Sequence, residues 1–170
     1  MVRVGSTRRG HAIARGCDGA TAARLALMRS ADWDDEPTHE YPSLLRSRVL
    51  VAEDDPELRE LVAARLRSEG CEVIAVGSGS EALDLISKHG PTAELDLAIL
   101  DVRMPGMSGL EVVYLLRTWD FSIPLLLVTA FPEPELIEEC DRLHVPVLQK
   151  PFPLYRIGSV ARTAMRGAEW

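Results

Sequence analysis

The sequence has few aromatic residues, no long apolar run and no excess of positive charge. Aromatic residues make up 5% of its 170 residues, so a buried core must consist mainly of aliphatic side chains. No apolar run approaches the roughly 18 residues that a transmembrane helix needs, so no membrane-spanning protein is expected. The formal net charge is −7, so the surface as a whole lacks the excess of positive charge that is typical of nucleic-acid-binding proteins. The length suits a globular chain of one domain with a tail.

Cysteine and histidine are too few and too scattered for a standard structural site. Cys17, Cys71 and Cys140 are odd in number, lie far apart and include no C-x-x-C pair. We therefore expect neither a disulfide framework nor a zinc site, and the chain suits a reducing cytoplasm. The four histidines show no metal-binding spacing such as H-E-x-x-H.

The first 46 residues differ in composition from the rest of the chain. Met1–Ser30 is rich in arginine and has one acidic residue, whereas Asp32–Pro42 is acidic. We expect residues 1–46 to form a disordered tail and linker, and residues 47–170 to form one folded domain. Four alternatives for the tail stay open: an arginine-rich arm that binds nucleic acid, a membrane or an acidic partner; a processed leader; a start codon placed too far upstream; and an organellar transit peptide, which the arginine-rich, acid-poor composition resembles.

Short apolar runs alternate with amphipathic runs from Arg48 onward. Several apolar runs are nearly continuous, which is typical of parallel strands that are covered on both faces. They predict strands at Val49–Ala52, Glu72–Val76, Leu95–Leu100, Ile123–Val128 and Val145–Leu148.

Helix-start signals follow each predicted strand. Asp55-Pro56-Glu57 places an N-cap and a proline before an amphipathic run, and capping boxes begin at Ser78 and Ser108. A fourth helix should begin near Pro132–Glu135, and a fifth after Pro153. Five strand–helix units in series predict an α/β fold, in which helices cover both faces of a five-stranded parallel sheet.

Polar or charged residues end four of the five predicted strands. The first strand leads into Glu53-Asp54-Asp55, and the third, fourth and fifth lead into Asp101, Thr129 and Gln149-Lys150. Doubly wound sheets bind their ligands at the carboxyl ends of their strands. We therefore expect these groups to share one rim of the sheet, with Asp55 acting mainly as a helix cap.

Crowded carboxylates at such a rim need a neutralising partner, since like charges repel one another. Mg²⁺ binds one or two carboxylates and often takes further oxygen ligands from a phosphate group. Lys150 adds a positive charge for a phosphoryl oxygen, and Thr129 adds a hydroxyl donor. Together with Glu53, Asp54 and Asp101, they predict a site for phosphoryl transfer onto a carboxylate.

Four segments resemble the receiver domain of two-component response regulators. They are VLVAEDD at 49–55, LDVRMPGMSG at 100–109, VTA at 128–130 and QKPF at 149–152, in the order and spacing of that family. The resemblance implies a flavodoxin-like, CheY-like fold with strand order 2-1-3-4-5, the order known for this family.

The resemblance also implies roles for single residues. Asp101 would be the phospho-acceptor and a Mg²⁺ ligand, with Asp54 binding the ion directly and Glu53 binding it through water. The backbone carbonyl of Arg103 would complete the protein ligands. Two further residues, Thr129 and Lys150, would contact the phosphoryl group, with a cis peptide bond between Lys150 and Pro151.

The residues that precede Lys150 depart from the family pattern, and two further positions bear on the lifetime of the signal. Val147 occupies the position where an aromatic switch residue is usual, so we expect a readout through the loop and helix that follow the fourth strand. Arg103 and Phe131 are bulky residues near the phosphoryl position, and we expect them to shield it from water.

The implied function is a phosphorylation-dependent signalling switch rather than an enzyme. The donor would be a phosphohistidine on a sensor histidine kinase or a phosphotransfer protein of a phosphorelay. The output would be a protein partner bound through the fourth helix, fifth strand and fifth helix. Because only about one helix of sequence follows Phe152, we expect a single-domain cytoplasmic protein without a DNA-binding output domain and without a membrane partner.

Several alternatives compete with this function. An aspartate-nucleophile phosphatase would carry a D-x-D motif after its first strand, whereas this chain has E-D-D-P there. A receiver-fold module could bind proteins without being phosphorylated. A nucleic-acid-binding regulator would have to use the basic arm, and a remnant of a hybrid kinase is a further alternative.

Overall fold

Ten alternating elements make up the folded part of the chain. The computed structural model describes residues 44, 46–89 and 95–166. Its strands are β1 (Arg48–Ala52), β2 (Glu72–Val76), β3 (Leu97–Asp101), β4 (Leu125–Thr129) and β5 (Val147–Gln149). Its helices are α1 (Pro56–Ser68), α2 (Gly79–His89), α3 (Gly109–Thr118), α4 (Pro134–Arg142) and α5 (Leu154–Met165). No helix in these ranges is long and apolar enough to cross a membrane.

The five strands form one parallel sheet in the order β2-β1-β3-β4-β5. This order confirms the predicted flavodoxin-like, doubly wound α/β fold. The order reverses beside β1, which pairs with both β2 and β3. Ala52 at the end of β1 is in register with Leu100, so the residues that follow β1 lie beside Asp101.

The sheet is buried on both faces, which explains the continuous apolar runs. Successive strand residues point to opposite faces. Leu50 and Leu100 belong to a core cluster that includes side chains of α2, α3 and α4, whereas Val49 and Ile99 belong to a second cluster with α1 and α5. All residues of β3 and β4 are buried as a result.

Three predicted strand starts are displaced by two residues: β3 begins at Leu97 rather than Leu95, and the two proline-containing strands also begin later than predicted. β5 begins at Val147 rather than Val145, because the Val145 N–H donates to the Cys140 carbonyl at the end of α4. Pro146 has no N–H to offer, although its carbonyl accepts from Leu127 in the sheet. Likewise, the β4 strand begins after Pro124, whose carbonyl accepts from Ala98.

Two described residues that precede the predicted start of the domain at residue 47 contact the domain. Leu44 is 3% exposed and packs in the cluster with α1 and α5, although it lies in the range predicted to be a tail. Arg46 is tied to the domain as well, since its N–H donates to the Gly70 carbonyl at 3.0 Å. The rest of the predicted tail lies outside the described residues, so its disorder stays a prediction.

A close approach between two segments fixes the end of β3 beside the start of α3. Gly109 begins α3, and its N–H donates to the Val102 carbonyl at 3.2 Å. A Cβ atom at Gly109 would overlap the backbone carbonyl of Asp101. A glycine is therefore required here by the packing of α3 against the strand that carries Asp101.

Gly109→Ala should lower the free energy of unfolding by about 2 kcal/mol, because the new methyl group must displace backbone rather than a flexible side chain. The control is Gly77→Ala, whose Cβ would lie 3.4 Å or more from its neighbours. Chemical denaturation monitored by circular dichroism measures both variants. Equal stability of Gly109→Ala and wild type would show that the approach of α3 to Asp101 is not tight.

Candidate functional site

Asp101 is the last residue of β3 and lies in a partly enclosed crevice. Its side chain is 7% exposed. Burial raises the pKa of this carboxyl group, and the nearby Asp54 raises it further. The Lys150 ammonium and a hydrogen bond from the Arg103 backbone N–H act in the opposite direction and lower the pKa. The sequence thus places an enclosed carboxylate at the rim, as predicted.

Lys150 joins the end of β5 to the acidic groups. Its Nζ lies 2.6 Å from Glu53 Oε2 and 3.2 Å from Asp101 Oδ1. Its backbone N–H donates to the Thr129 carbonyl at 2.7 Å, so the chain after β5 is held against the end of β4. The peptide bond between Lys150 and Pro151 is cis, which confirms the expectation from the resemblance.

The three predicted metal-binding acids lie together. One carboxylate oxygen from each of Glu53, Asp54 and Asp101 lies within 4.8 Å of the other two. Glu53 and Asp101 are buried, whereas Asp54 is exposed at the mouth of the crevice. All three donors are oxygen atoms, so the group suits a hard cation with space for water ligands.

The surroundings of Glu53 affect the pKa of its carboxyl group in opposite directions. Burial raises the pKa of its carboxyl group, and Asp101 contributes in the same direction. The hydrogen bond from Lys150 and the Lys150 charge lower that pKa. A single ammonium thus faces two buried carboxylates, with a third acid at the edge. The acidic groups outnumber the ammonium, so the crevice favours the binding of a further cation.

Thr129 ends β4 next to β3, and 1% of its surface is exposed. Its Oγ1 accepts a hydrogen bond from the Phe131 N–H at 3.1 Å. The strand pairing places it one residue beyond Val128, which is in register with Asp101. The hydroxyl is therefore at the rim where it was predicted, and its contact with a phosphoryl group stays a prediction.

Comparison with known proteins identifies the family of this fold and site. The family model of the response regulator receiver domain matches residues 49–162. The chain belongs to this family. Receiver domains take phosphoryl groups from histidine kinases or phosphotransfer proteins, and the acidic cluster described above is the kind of group at which they bind Mg²⁺.

Two relatives show how far the sequence similarity extends. The receiver domain is 40% identical over 86 residues to the DNA-binding response regulator MtrA of Mycolicibacterium smegmatis, which covers 51% of this chain and 36% of MtrA. It is 29% identical over 115 residues to sporulation initiation phosphotransferase F of Bacillus subtilis, which covers 67% of this chain and 90% of that protein. The match to MtrA spans well under half of MtrA, so the expected lack of an output domain stays a prediction.

Solved structures agree with the fold. The chemotaxis protein CheY4 of Vibrio cholerae superposes with a TM-score of 0.61 at 28% identity, covering 70% of this chain and 98% of that one. The receiver domain of the Francisella response regulator 1452 gives a TM-score of 0.64 at 23% identity, covering 71% of this chain and 98% of that one. The second similarity concerns the fold alone.

A three-residue cluster spans the two loops beside the acceptor of this receiver domain. The Arg103 guanidinium carbon lies 4.4 Å from the centre of the Phe131 ring, and its Nη2 lies 3.2 Å from Glu133 Oε1. Arg103 and Phe131 were expected to lie near the acceptor, but no pattern in the sequence indicated that they stack on each other. Glu133 was not predicted, and its position directly before Pro134 at the start of α4 was the available signal.

Val147 lies in β5 as a half-buried residue that packs against the core cluster with α4. An aromatic side chain at this place would be larger than the valine present. The expected readout through the loop and helix after β4 therefore stays a prediction. The Arg103 carbonyl also stays a predicted ligand, because the contact described above involves its N–H.

Proposed function

We propose that this receiver domain is a phosphorylation-dependent switch of a two-component system or phosphorelay, and that Asp101 accepts the phosphoryl group. The observation that carries the proposal is the position of the Lys150 Nζ, 3.2 Å from Asp101 and 2.6 Å from Glu53. A buried acid beside a fixed ammonium and two further acids is an arrangement for phosphoryl transfer rather than a surface ion pair.

The transfer is a displacement at phosphorus. A carboxylate oxygen of Asp101 forms the new P–O bond while the P–N bond of the phosphohistidine breaks, and the leaving imidazole takes a proton from solvent. Lys150 donates a hydrogen bond to a phosphoryl oxygen, and the Thr129 hydroxyl donates to another. Lys150 and the Arg103 N–H lower the pKa of Asp101 and so oppose the effect of burial, which raises it.

Glu53, Asp54 and Asp101 would hold a Mg²⁺ ion, with the Arg103 carbonyl as the remaining protein ligand. When bound, Mg²⁺ supplies positive charge that offsets the carboxylates and the incoming phosphoryl oxygens. Their oxygen-only donor set and mutual distances of at most 4.8 Å support this choice of metal.

The output of the switch is a change in binding to a protein partner. We propose the α4-β5-α5 face, since α4 follows the loop that carries Phe131 and Glu133 beside the acceptor. Its acidic residues favour a basic partner surface; they are Glu135, Glu138, Glu139 and Asp141. We propose a cytoplasmic regulator that does not bind nucleic acid, has no membrane partner and is not itself an enzyme.

Asp101→Asn should abolish the uptake of radiolabelled phosphoryl groups from a small-molecule donor such as acetyl phosphate in the presence of Mg²⁺. Asp55→Asn is the matched control, because Asp55 is the N-cap of α1 and asparagine caps a helix equally well. The control should label as wild type does. Absence of label in wild type would favour a protein-binding module that works without phosphorylation, and label retained in Asp101→Asn would place the acceptor elsewhere.

The stacked pair of Arg103 and Phe131 should slow the attack of water on the phosphorylated protein, because the two residues lie on the loops that directly follow Asp101 and Thr129 and stack on each other. Phe131→Ala should shorten the half-life of the phosphorylated protein by about tenfold, which corresponds to a barrier lower by about 1.4 kcal/mol. Tyr155→Ala removes another exposed aromatic ring, on α5, and should leave the half-life unchanged. A longer half-life in Phe131→Ala than in wild type would contradict the shielding role.

A further inference from the structure

Arg59 of α1 binds the backbone carbonyl groups of two of the three acidic residues. Arg59 Nη1 donates to the Glu53 carbonyl at 2.6 Å, and it lies 3.4 Å from the Asp54 carbonyl. The Arg59 backbone N–H donates to the Asp55 carbonyl at 2.9 Å. The guanidinium thus bonds the first two carbonyl groups of the β1–α1 loop, whereas the bond to the third is the first backbone hydrogen bond of α1, which any residue at this position would make.

The side chain of Asp55, in the same loop, caps α1. Its Oδ1 accepts from the N–H groups of Glu57 and Leu58, at 2.9 and 3.2 Å, and caps α1. Asp55 therefore points along the helix. The other two acids of the loop, Glu53 and Asp54, are left to face Asp101.

Arg59 is half-buried between the loop and the end of β2. The position that a Cβ atom would take at Gly77 lies 3.4 Å from Arg59 Nη1, so the guanidinium packs against the backbone there. The Gly77 N–H donates to Glu81 Oε2 at 3.3 Å. The guanidinium is therefore enclosed by backbone on two sides, which limits its choice of rotamer.

We propose that Arg59 is a positioning residue for the metal site, because it holds the backbone that directs the Glu53 and Asp54 carboxylates towards Asp101. This inference rests on the proposed function, since it concerns the Mg²⁺ ion expected there. Without the guanidinium, two carbonyl groups lose their donor and the carboxylates are free to move apart under their mutual repulsion.

The charge of Arg59 acts in the opposite direction to its hydrogen bonds. A nearby positive charge repels Mg²⁺ and weakens its binding, whereas a fixed loop strengthens it. The sign of the effect of removing Arg59 therefore distinguishes a positioning role from a merely electrostatic one. Residues that orient metal ligands typically change metal affinity by about 10- to 100-fold when they are removed.

The test is a Mg²⁺ titration of the full chain, in which the backbone amide chemical shifts of the residues around Asp101 report binding. Arg59→Met should raise the dissociation constant for Mg²⁺ by about tenfold. Arg59→Lys should give an intermediate value, because an ammonium can retain one of the two carbonyl bonds. Arg67→Met is the matched control on the same helix, since Arg67 pairs with the exposed Glu60 at 3.0 Å, and it should bind Mg²⁺ as wild type does.

A second measurement separates positioning from general damage. At saturating Mg²⁺, the phosphoryl uptake of Arg59→Met should return to within about twofold of wild type, because the weakened binding is then compensated by concentration. If Arg59→Met does not fold, the titration of Arg59→Lys decides the question.

Two results would overturn the positioning role: an unchanged or tighter Mg²⁺ affinity in both Arg59 variants, or an equal loss in Arg67→Met. A wild-type protein that binds no Mg²⁺ would overturn the proposed metal site together with this inference. Normal Mg²⁺ binding in wild type and in the variants would overturn this inference alone.

Discussion

The crowding of three carboxylates beside one ammonium, at the buried end of a parallel sheet, is the constraint on which this domain depends. Glu53 and Asp101 are both buried, and both share the ammonium of Lys150. Burial raises the pKa of each carboxyl group, so the site stores repulsion that the folded core must offset. The same repulsion makes the crevice receptive to a divalent cation and a phosphoryl group.

The fold assembles this crevice from residues that are far apart in the sequence. The reversal of strand order places the end of β1 beside the end of β3, and with it the Glu53–Asp54 loop beside Asp101. β5 at the edge contributes Lys150, whose N–H bond to Thr129 fixes the starting point of its side chain. Gly109 lets α3 approach the backbone of Asp101. Each of these contacts restricts where the four charges can lie.

Much of this arrangement could be predicted from the sequence, because buried parallel strands are recognisable as apolar runs and their carboxyl ends meet at one rim of the sheet. The acids at the rim followed from that logic, and the strand order followed from the family resemblance alone. The start of β5 followed from neither, since the Val145 N–H bonds to α4 and only the folded structure shows this. Arg59 and Glu133 were missed because the contacts that give them their roles form only in the fold: Arg59 binds backbone carbonyl groups and Glu133 pairs with Arg103. The only sequence signal for Glu133 was its position directly before Pro134 at the start of α4.

The dependence of stability on pH tests the central constraint most directly. Wild type and Asp101→Asn are compared by chemical denaturation in the presence of a chelator, with the exposed Asp84→Asn as control. Because the pKa of Asp101 is raised on folding, its ionised form opposes folding above the folded pKa, and the penalty vanishes below the ordinary carboxyl value of about 4. We expect Asp101→Asn to be more stable than wild type at pH 7, with a gain that disappears as the pH falls to that value. A variant no more stable than wild type at pH 7, or a gain that does not change with pH, would contradict the account.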